Sequence, residues 1–425
     1  MNRFLVFIII LIVISRLAAV VFLHQKQISV SPVQDPLEYR NLAVNILRGN
    51  SFSMAQNTPY VPDLLRTPAY PAFLSLTFLF DEAGYLAVFL QQIMLIASAW
   101  MLWAMLRRFR VYKAISLFFS IILLAEPRLW FWSLETMTEA LFIFLIMLSV
   151  FFLIYPEVIR AKHIVGSAFA FGLTLLTRPS GLLWAAGFMI FSALYEAPLK
   201  KKIFASVCFI IIVVAIVSPW VWRNYQLTGR LILSSSQEIN YALGFQKGPN
   251  EVTSGCAGFI RDSKGREVCM FRSFTSEGFN DVEILAKDLR GTTSFYSFLK
   301  RNIIGAYYLW VPNDYKDIIS IARNSIFGSS GDLSGGWLFF ANISYRAYSL
   351  FLIVTGILAL AGFAFLYENG KYSVAGLFGG IIFFSTLINF GIAGGRHHLI
   401  LLPAVLFLAG LGLFYATERL YRRLG

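Results

Sequence analysis

The sequence predicts an all-α polytopic membrane protein, a bundle of about ten transmembrane helices with amphipathic helices on its outer face. Three observations predict this fold class. Of the 425 residues, 57% are apolar and only 14% are charged, and the mean hydropathy is +0.67. Apolar runs of about 20 residues, the length that crosses a bilayer, recur along the chain, and Lys and Arg gather in alternate connections between them. This composition excludes a disordered chain, a small disulfide-stapled domain and an ordinary soluble enzyme.

Ten apolar runs are long enough, or nearly so, to cross a bilayer. They occupy residues 4–23, 84–106, 114–133, 137–155, 164–177, 181–195, 203–219, 347–367, 373–391 and 399–416. We expect the first to be a true span and not a cleaved signal peptide, because the run is long, Arg16 interrupts it and no small-residue cleavage site follows.

The basic residues predict the orientation, because Lys and Arg are enriched in cytoplasmic loops. If ten spans alternate, one side receives Arg3, Arg107, Arg108, Arg110, Lys113, Arg160, Lys162, Lys200, Lys201, Lys202, Lys371, Arg419, Arg422 and Arg423. Both termini are therefore expected in the cytoplasm. The outer side receives 24–83, 178–180, 220–346 and 392–398, and long loops of this kind commonly carry function.

These spans divide the chain into three parts. Residues 1–219 form an N-terminal transmembrane core with a first outer loop at 24–83, residues 220–346 form an outer-face loop region, and residues 347–425 form C-terminal transmembrane helices. The net charge is +13, but no basic stretch interleaves with aromatic residues outside the apolar runs. Nucleic acid is therefore not expected as a partner, whereas membrane lipids are.

The cysteines agree with the predicted orientation. Cys208 lies within an apolar run, as a small buried residue would. Cys256 and Cys269 both lie in the long outer segment, where an oxidising compartment makes a disulfide between them plausible. A zinc site would need four N or S ligands with close spacing, and the chain has no CxxC or HxxxH pattern. No metal is obligatory, although a divalent metal stays possible.

Residues 35–49 predict an amphipathic helix that is too short and too polar to span a bilayer. Its apolar positions recur at helical spacing: Tyr39, Leu42, Ala43, Ile46 and Leu47. Gly49 is a natural C-terminal stop. Asp35, Pro36 and Glu38 match the chemistry of a helix start, so one interpretation of Asp35 is simply a helix cap.

Five further motifs follow in order, all on the predicted outer face. Arg66-Thr67-Pro68-Ala69-Tyr70-Pro71 leads into a short apolar run, and Thr138-Glu139-Ala140-Leu141-Phe142 opens a span. Leu176-Thr177-Arg178-Pro179 closes the next one. Pro219-Trp220-Val221-Trp222-Arg223-Asn224 follows the seventh, and Arg396-His397-His398 precedes the last.

Together with the 35–49 helix, this series resembles the GT-C fold glycosyltransferases, and more narrowly the bacterial branch akin to aminoarabinose transferase and protein O-mannosyltransferases. The resemblance implies a GT-C-type bundle in the cytoplasmic (inner) membrane with its active site on the outer face. It also implies transfer of a sugar, with inversion, from a polyprenyl-phosphate donor to a glycan, lipid or protein acceptor. The sugar and the acceptor stay open.

That chemistry needs a base for the acceptor hydroxyl and cations for the leaving phosphate. The motif position assigns the base to Asp35. Glu139, and more weakly Glu135, are candidates to orient substrate, although an acid in the first turn of a helix needs no function. The phosphate candidates are Arg66, Arg178, Arg223 and Arg396, and the alternative for each is an Arg that snorkels at the end of a span.

Tyr70 belongs to the Arg66 motif and is a further substrate-binding candidate. His397 and His398 are adjacent and would point to different sides, so at most one is expected to meet substrate. Two other functions stay open at this point: an O-antigen-polymerase-like enzyme, and a membrane transporter or lipid flippase, for which midplane charges and internal repeats would be expected.

Overall fold

The computed structural model describes residues 3–26, 35–236, 238–240, 259–261, 267–269, 275–276, 278–310, 335–387 and 399–424. These residues are mostly helical. The helices are α1 (Arg3–Lys26), α2 (Asp35–Leu47), α3 (Ala69–Phe78), α4 (Tyr85–Arg108), α5 (Lys113–Ala125), α6 (Pro127–Ser133), α7 (Glu139–Ile154), α8 (Ala161–Thr177), α9 (Leu182–Leu194), α10 (Leu199–Thr228), α11 (Phe279–Thr292), α12 (Phe295–Trp310), α13 (Gly335–Glu368), α14 (Tyr372–Leu387) and α15 (Leu402–Leu424).

Several of these helices are suited to a membrane. Among the described residues, four are long and apolar enough to cross one, within α4, α10, α13 and α15, and the bent pair α5–α6 would make a fifth. Helix α10 carries exposed apolar residues along much of its length: Ile203, Phe204, Val207, Ile210, Ile211 and Val214. Exposed side chains of this kind are suited to lipid. The chain is a polytopic helical membrane protein.

Within the described residues, each apolar run that the sequence predicts to span is helical, with two helices at 114–133. The count of ten spans is not confirmed. Five apolar helical segments have only 10–17 residues: Ala69–Phe78, Glu139–Ile154, Ala161–Thr177, Pro179–Leu194 and Tyr372–Leu387. The count of ten and the three-part division of the chain therefore stay predictions.

The predicted single span at 114–133 is wrong as a continuous helix. Helices α5 and α6 meet at an angle of 49°. Pro127 has no N–H to donate and disfavours a helical Glu126, so the helix stops there and restarts. Glu126 then serves as the N-cap of α6, since its side chain accepts the Leu129 N–H.

Two buried polar clusters brace this bend. Arg16 of α1 donates to the Leu124 carbonyl oxygen from Nε at 2.9 Å and from a terminal nitrogen at 2.6 Å, and it also donates to Gln92 at 2.5 Å. Arg128 pairs with Glu126 at 3.0 Å, and both contact the hydroxyl of Tyr348 on α13. The charges are buried but have partners, which is the condition for keeping them inside a protein.

Close helix contacts complete the bundle. Helices α13 and α15 pack against each other through Gly362 and Gly412. A Cβ added at Gly362 would lie 1.9 Å from the Leu408 carbonyl oxygen, and one added at Gly412 would lie 1.8 Å from the Leu358 carbonyl oxygen. Helices α9 and α14 pack in the same way at Gly187. Small residues of this kind let helix backbones approach each other within a membrane.

In the outer segment, β1 (Phe259–Arg261) pairs antiparallel with β2 (Glu267–Cys269), with Phe259 opposite Cys269. Cys256 lies outside the described residues, and nothing of the Cys269 side chain is described. The predicted disulfide therefore stays a prediction.

Candidate active site

Helix α2 forms one wall of the candidate site. It begins at Asp35 and ends as predicted before Gly49, which adopts a φ of 70°. The Asn50 N–H then donates to the Asn45 carbonyl oxygen at 2.9 Å and closes the last turn. Tyr39, Leu42 and Ala43 are buried, as the amphipathic pattern predicts, so the helix presents its acidic first turn to the neighbouring loop.

Arg66 joins the two acids of this first turn. One of its terminal nitrogens donates to Asp35 Oδ1 at 2.6 Å and also to Glu38 Oε2, and its Nε donates to Glu38 Oε2 at 3.0 Å. The other terminal nitrogen donates to the Tyr39 hydroxyl at 3.2 Å, and the guanidinium lies 4.8 Å from the centre of the Tyr39 ring. One cation is thus shared by two carboxylates and a phenol.

The loop before α3 holds Arg66 in this position. The Arg66 N–H donates to Asp63 Oδ1 at 2.8 Å, and the Asp63 N–H donates to the Phe52 carbonyl oxygen at 2.7 Å. Residues after α10 hold the same loop, since Ser234 donates to the Leu65 carbonyl oxygen at 2.7 Å and the Ser235 N–H donates to that of Leu64 at 2.9 Å. The geometry of Arg66 therefore depends on segments far apart in the sequence.

Asp63 is the most perturbed acid of this loop. It is 1% exposed, and its Oδ2 has no hydrogen-bond partner in the described part of the chain. Burial raises the pKa of the Asp63 carboxyl to about 7, against the opposing effect of the Arg66 N–H. Asp63 is thus a buried group that changes charge near neutral pH.

Tyr70 is a packing residue of the site wall. It is fully buried, and its ring meets the ring of Tyr39 edge-on, with centroids 5.0 Å apart. Its hydroxyl donates to Gln91 Oε1 at 2.6 Å, and the Gln91 amide donates to the carbonyl oxygens of Ser133 at 3.0 Å and Glu135 at 2.8 Å. These bonds fix Tyr39, and with it one partner of Arg66, against α4.

A second ion pair lies close to the same tyrosine. Glu139, the first residue of α7, accepts from Arg178 at 2.7 Å. The Glu139 side chain is 1% exposed and that of Arg178 is 19% exposed. Tyr39 interacts electrostatically with both pairs, Asp35–Arg66 and Glu139–Arg178. The structure therefore brings two of the three predicted carboxylates and two of the four predicted arginines into one neighbourhood.

The Glu139–Arg178 pair uses only one of the two Glu139 carboxylate oxygens. Glu139 Oε2 is buried and has no hydrogen-bond partner among the described residues. A buried carboxylate oxygen without a donor is costly, so it indicates a place where a ligand hydroxyl would be favourable. Glu135 is also buried nearby, and it interacts electrostatically with Tyr70.

Arg223 belongs to neither of these two ion pairs and instead holds the loop that carries Asp63. It donates to the Asp63 carbonyl oxygen at 2.7 Å and to Asn224 Oδ1 at 2.9 Å. Its guanidinium lies 4.6 Å from the centre of the Trp220 ring and 5.4 Å from that of Phe52. The structure thus gives Arg223 partners that stabilise the loop between α2 and α3, while Arg396, His397 and His398 lie outside the described residues.

Three site residues were not singled out from the sequence. In the sequence Glu38 matches a helix start, and it stands one turn after Asp35 on the same face. Asp63 stands three residues before Arg66 and had no motif to mark it. Gln91 is a polar residue in an apolar helix, which is a signal that could have found it.

The described residues contain no group of three or more His, Cys, Asp or Glu side chains that could hold a metal ion. The charged groups that the structure brings together here are carboxylates and guanidinium groups. Such a set can accept a proton and can bind an anionic oxygen.

Two solved structures are similar to the chain. One is a crystal structure of ArnT from Cupriavidus metallidurans bound to undecaprenyl phosphate, 14% identical, with a TM-score of 0.44 over 96% of this chain and 78% of that chain. The other is the same protein in the apo state, 14% identical, with a TM-score of 0.39 over 90% of this chain and 73% of that chain. No protein-family profile matches the chain, and no curated protein matches it significantly.

Proposed function

We propose that the chain is an integral membrane glycosyltransferase that transfers a sugar from a polyprenyl-phosphate donor to an acceptor hydroxyl. The observation that carries the proposal is the contact of Asp35 with Arg66 at the first turn of α2. A carboxylate that can act as a base there touches a cation that can bind a phosphate. The motif order along the sequence supports the same reaction.

The reaction assigns one role to each group. The acceptor oxygen attacks the anomeric carbon, its proton passes to the Asp35 carboxylate, and the bond from that carbon to the phosphate oxygen breaks with inversion. The lipid phosphate leaves as an anion, which Arg66 and Arg396 stabilise. No acid is needed on the leaving side, unlike in glycosidases.

The ion pair creates a difficulty for Asp35 as a base, because a guanidinium at 2.6 Å favours the carboxylate form and weakens its basicity. The shared geometry of Arg66 resolves it. When a donor phosphate binds, the guanidinium can turn from Asp35 to the phosphate oxygens while Glu38 keeps hold of its Nε. Asp35 is then a stronger base with donor bound than without it.

Glu139 completes the proposed site as a group that orients substrate. Its unpartnered Oε2 can accept a hydroxyl of the sugar or the acceptor, while Arg178 holds Oε1. A binding role of this kind needs no proton transfer. By the predicted orientation, the site faces the outer side of the cytoplasmic membrane.

The test compares Asp35→Asn with Glu38→Gln in proteoliposomes. Each protein receives a panel of polyprenyl-phosphate pentoses and hexoses together with glycan, lipid and peptide hydroxyl acceptors, and release of the polyprenyl phosphate is measured by mass spectrometry. Asn keeps helix-start chemistry but accepts no proton, so Asp35→Asn is expected to lose at least about 100-fold in rate with an unchanged melting temperature. Glu38→Gln also weakens the pairing of Arg66, so it serves as the matched control and is expected to lose only a few-fold. Equal losses in the two variants, or near-normal transfer by Asp35→Asn, would remove the base from the mechanism.

A further inference from the structure

A cavity of about 340 Å³ lies beside the C-terminal half of α2. Its lining is Asn41, Val44, Asn45, Arg48, Ala55, Gln56 and Asn57. Three of these residues belong to α2 and Arg48 directly follows it, and together they stand at i, i+3, i+4 and i+7, the spacing of one helix face. The remaining wall comes from the loop that also carries Asp63 and Arg66.

The lining is built of amides and one cation. Four of its seven side chains are Asn or Gln, Arg48 is the single charged group, and only Val44 and Ala55 are apolar. Each amide offers both a donor and an acceptor, the combination that sugar hydroxyls also present. An acyl chain would find little apolar surface here, and a metal cation would find no carboxylate.

Two of the amides fix the shape of the cavity, and three polar side chains stay available to a ligand. Asn45 donates to the carbonyl oxygens of Ser53 at 2.7 Å and Ala55 at 2.8 Å, and Asn41 donates similarly to the loop. These bonds make the wall part of the folded structure and not a chance gap between mobile side chains.

The available groups are Arg48, Gln56 and Asn57. All three are exposed, and none takes part in a side-chain hydrogen bond or ion pair within the described part of the chain. The polar atoms that a ligand would need are therefore present and unoccupied by neighbours.

The cavity is placed within reach of the reaction. Helix α2 rises about 1.5 Å per residue, so Asn41 and Arg48 lie roughly 9 and 20 Å along the axis from Asp35. A ligand seated in the cavity can reach the Asp35 carboxylate only if it is extended. A short oligosaccharide has that shape, and a single monosaccharide does not.

We propose that this cavity is a carbohydrate-binding subsite that holds the acceptor glycan while its terminal hydroxyl reaches Asp35. The inference rests on the proposed glycosyltransferase function and adds the acceptor class to it. Arg48 without a neighbouring carboxylate in the lining gives sugars that carry an acid group the higher affinity. The volume falls within the range of small-molecule sites, about 300–1,000 Å³.

The experiment measures saccharide binding directly, without turnover. Saturation-transfer NMR on the full chain in detergent uses trigalacturonic acid as the acidic probe and maltotriose as its neutral counterpart of equal length. Trigalacturonic acid is expected to bind more tightly, and Arg48→Gln and Asn57→Ala are each expected to weaken it about fivefold or more. Both positions are exposed, so neither change should disturb folding. Arg422→Gln removes an exposed cation at the other end of the chain and is the matched control.

Binding that is absent in the unaltered protein, or unchanged in both cavity variants, would overturn the subsite. The same samples separate this result from a failure of the proposed function. Polyprenyl-phosphate binding and release depend on the Arg66 contact and not on Arg48, so Arg48→Gln should leave donor binding unchanged. Asp35→Asn should leave saccharide binding unchanged.

Discussion

The Asp63 carboxyl couples the loop that holds Arg66 to pH. Its pKa is raised by burial to about 7, from an ordinary value of 3.8. Below both values the group is protonated in the folded and unfolded chains alike. Between them the unfolded chain has lost the proton and the folded chain keeps it, so the free energy of unfolding falls as pH rises, by up to about 4 kcal/mol.

Asp63→Asn is expected to remove this part of the pH dependence, because Asn stays neutral and can still accept the Arg66 N–H. Melting temperatures in detergent at pH 5, 6, 7 and 8 would measure it. The unaltered protein should lose stability across that interval relative to the variant, with little further change above pH 8. Parallel curves of melting temperature against pH for the two proteins would mean that Asp63 does not titrate between pH 5 and 8. The exposed Glu157→Gln variant serves as the control.

The Glu139–Arg178 pair allows a test that needs no activity. Arg178→Gln leaves the buried Glu139 carboxylate without its cation, which costs about 3 kcal/mol in comparable cases. The double variant Glu139→Gln/Arg178→Gln removes the charge as well, and we expect it to be more stable than Arg178→Gln alone. Denaturation midpoints of the single and double variants measure this difference in stability. A double variant that is the least stable of the set would contradict a buried carboxylate at this position.

At the scale of elements, the contact between α13 and α15 is the tightest described. Gly362→Ala would place a methyl group 1.9 Å from the Leu408 carbonyl oxygen, so the helices must separate. Overpacking of this kind costs about 1–3 kcal/mol. Gly356 lies on the same helix with nothing within 4 Å of an added Cβ, and it provides the matched control.

We expect Gly362→Ala to lower the melting temperature and Gly356→Ala to leave it unchanged or raise it slightly, since Ala favours a helix over Gly. Equal melting temperatures for the two variants would mean that α13 and α15 are not packed as closely as described. The comparison cancels the effect of helix propensity, because both changes are Gly to Ala in one helix.

The bend between α5 and α6 is a structural feature that the hydropathy of the sequence does not reveal. Hydropathy is continuous across residues 114–133, and the break depends on Pro127 and on Glu126 acting as a cap. The bend then brings Glu126 to Arg128 and Tyr348, and Arg16 to the last carbonyl groups of α5. The Arg16 and Arg128 charges therefore have structural partners.

At the scale of the whole molecule, orientation is the open prediction. Single cysteines at Lys113 and Lys200, in a background with the native cysteines replaced, are expected to react with membrane-impermeant maleimide only from the cytoplasm. Cysteines at Asn57 and Lys287 are expected to react from the outer side. All four positions are exposed, so access is set by the membrane and not by burial. Labelling of Asn57 from the cytoplasm would reverse the orientation and the face of the proposed active site.

The sequence by itself determined the membrane class, the helices that its apolar runs become and the amphipathic helix α2. Apolar runs and helical spacing are local properties, and they do not need the tertiary fold to be readable. The stop at Gly49 was predictable for the same reason, because a left-handed residue after a helix is a local backbone requirement.

Only the tertiary structure decided how the charges pair. The sequence makes both Arg66 and Arg223 candidates for a phosphate, yet one contacts Asp35 and Glu38 and the other holds the Asp63 loop. Asp63 shows the same limit, since its raised pKa arises from burial by residues that are distant in sequence. Ion pairs act over a few ångströms between segments, and the spacing of residues along a chain carries no record of those distances.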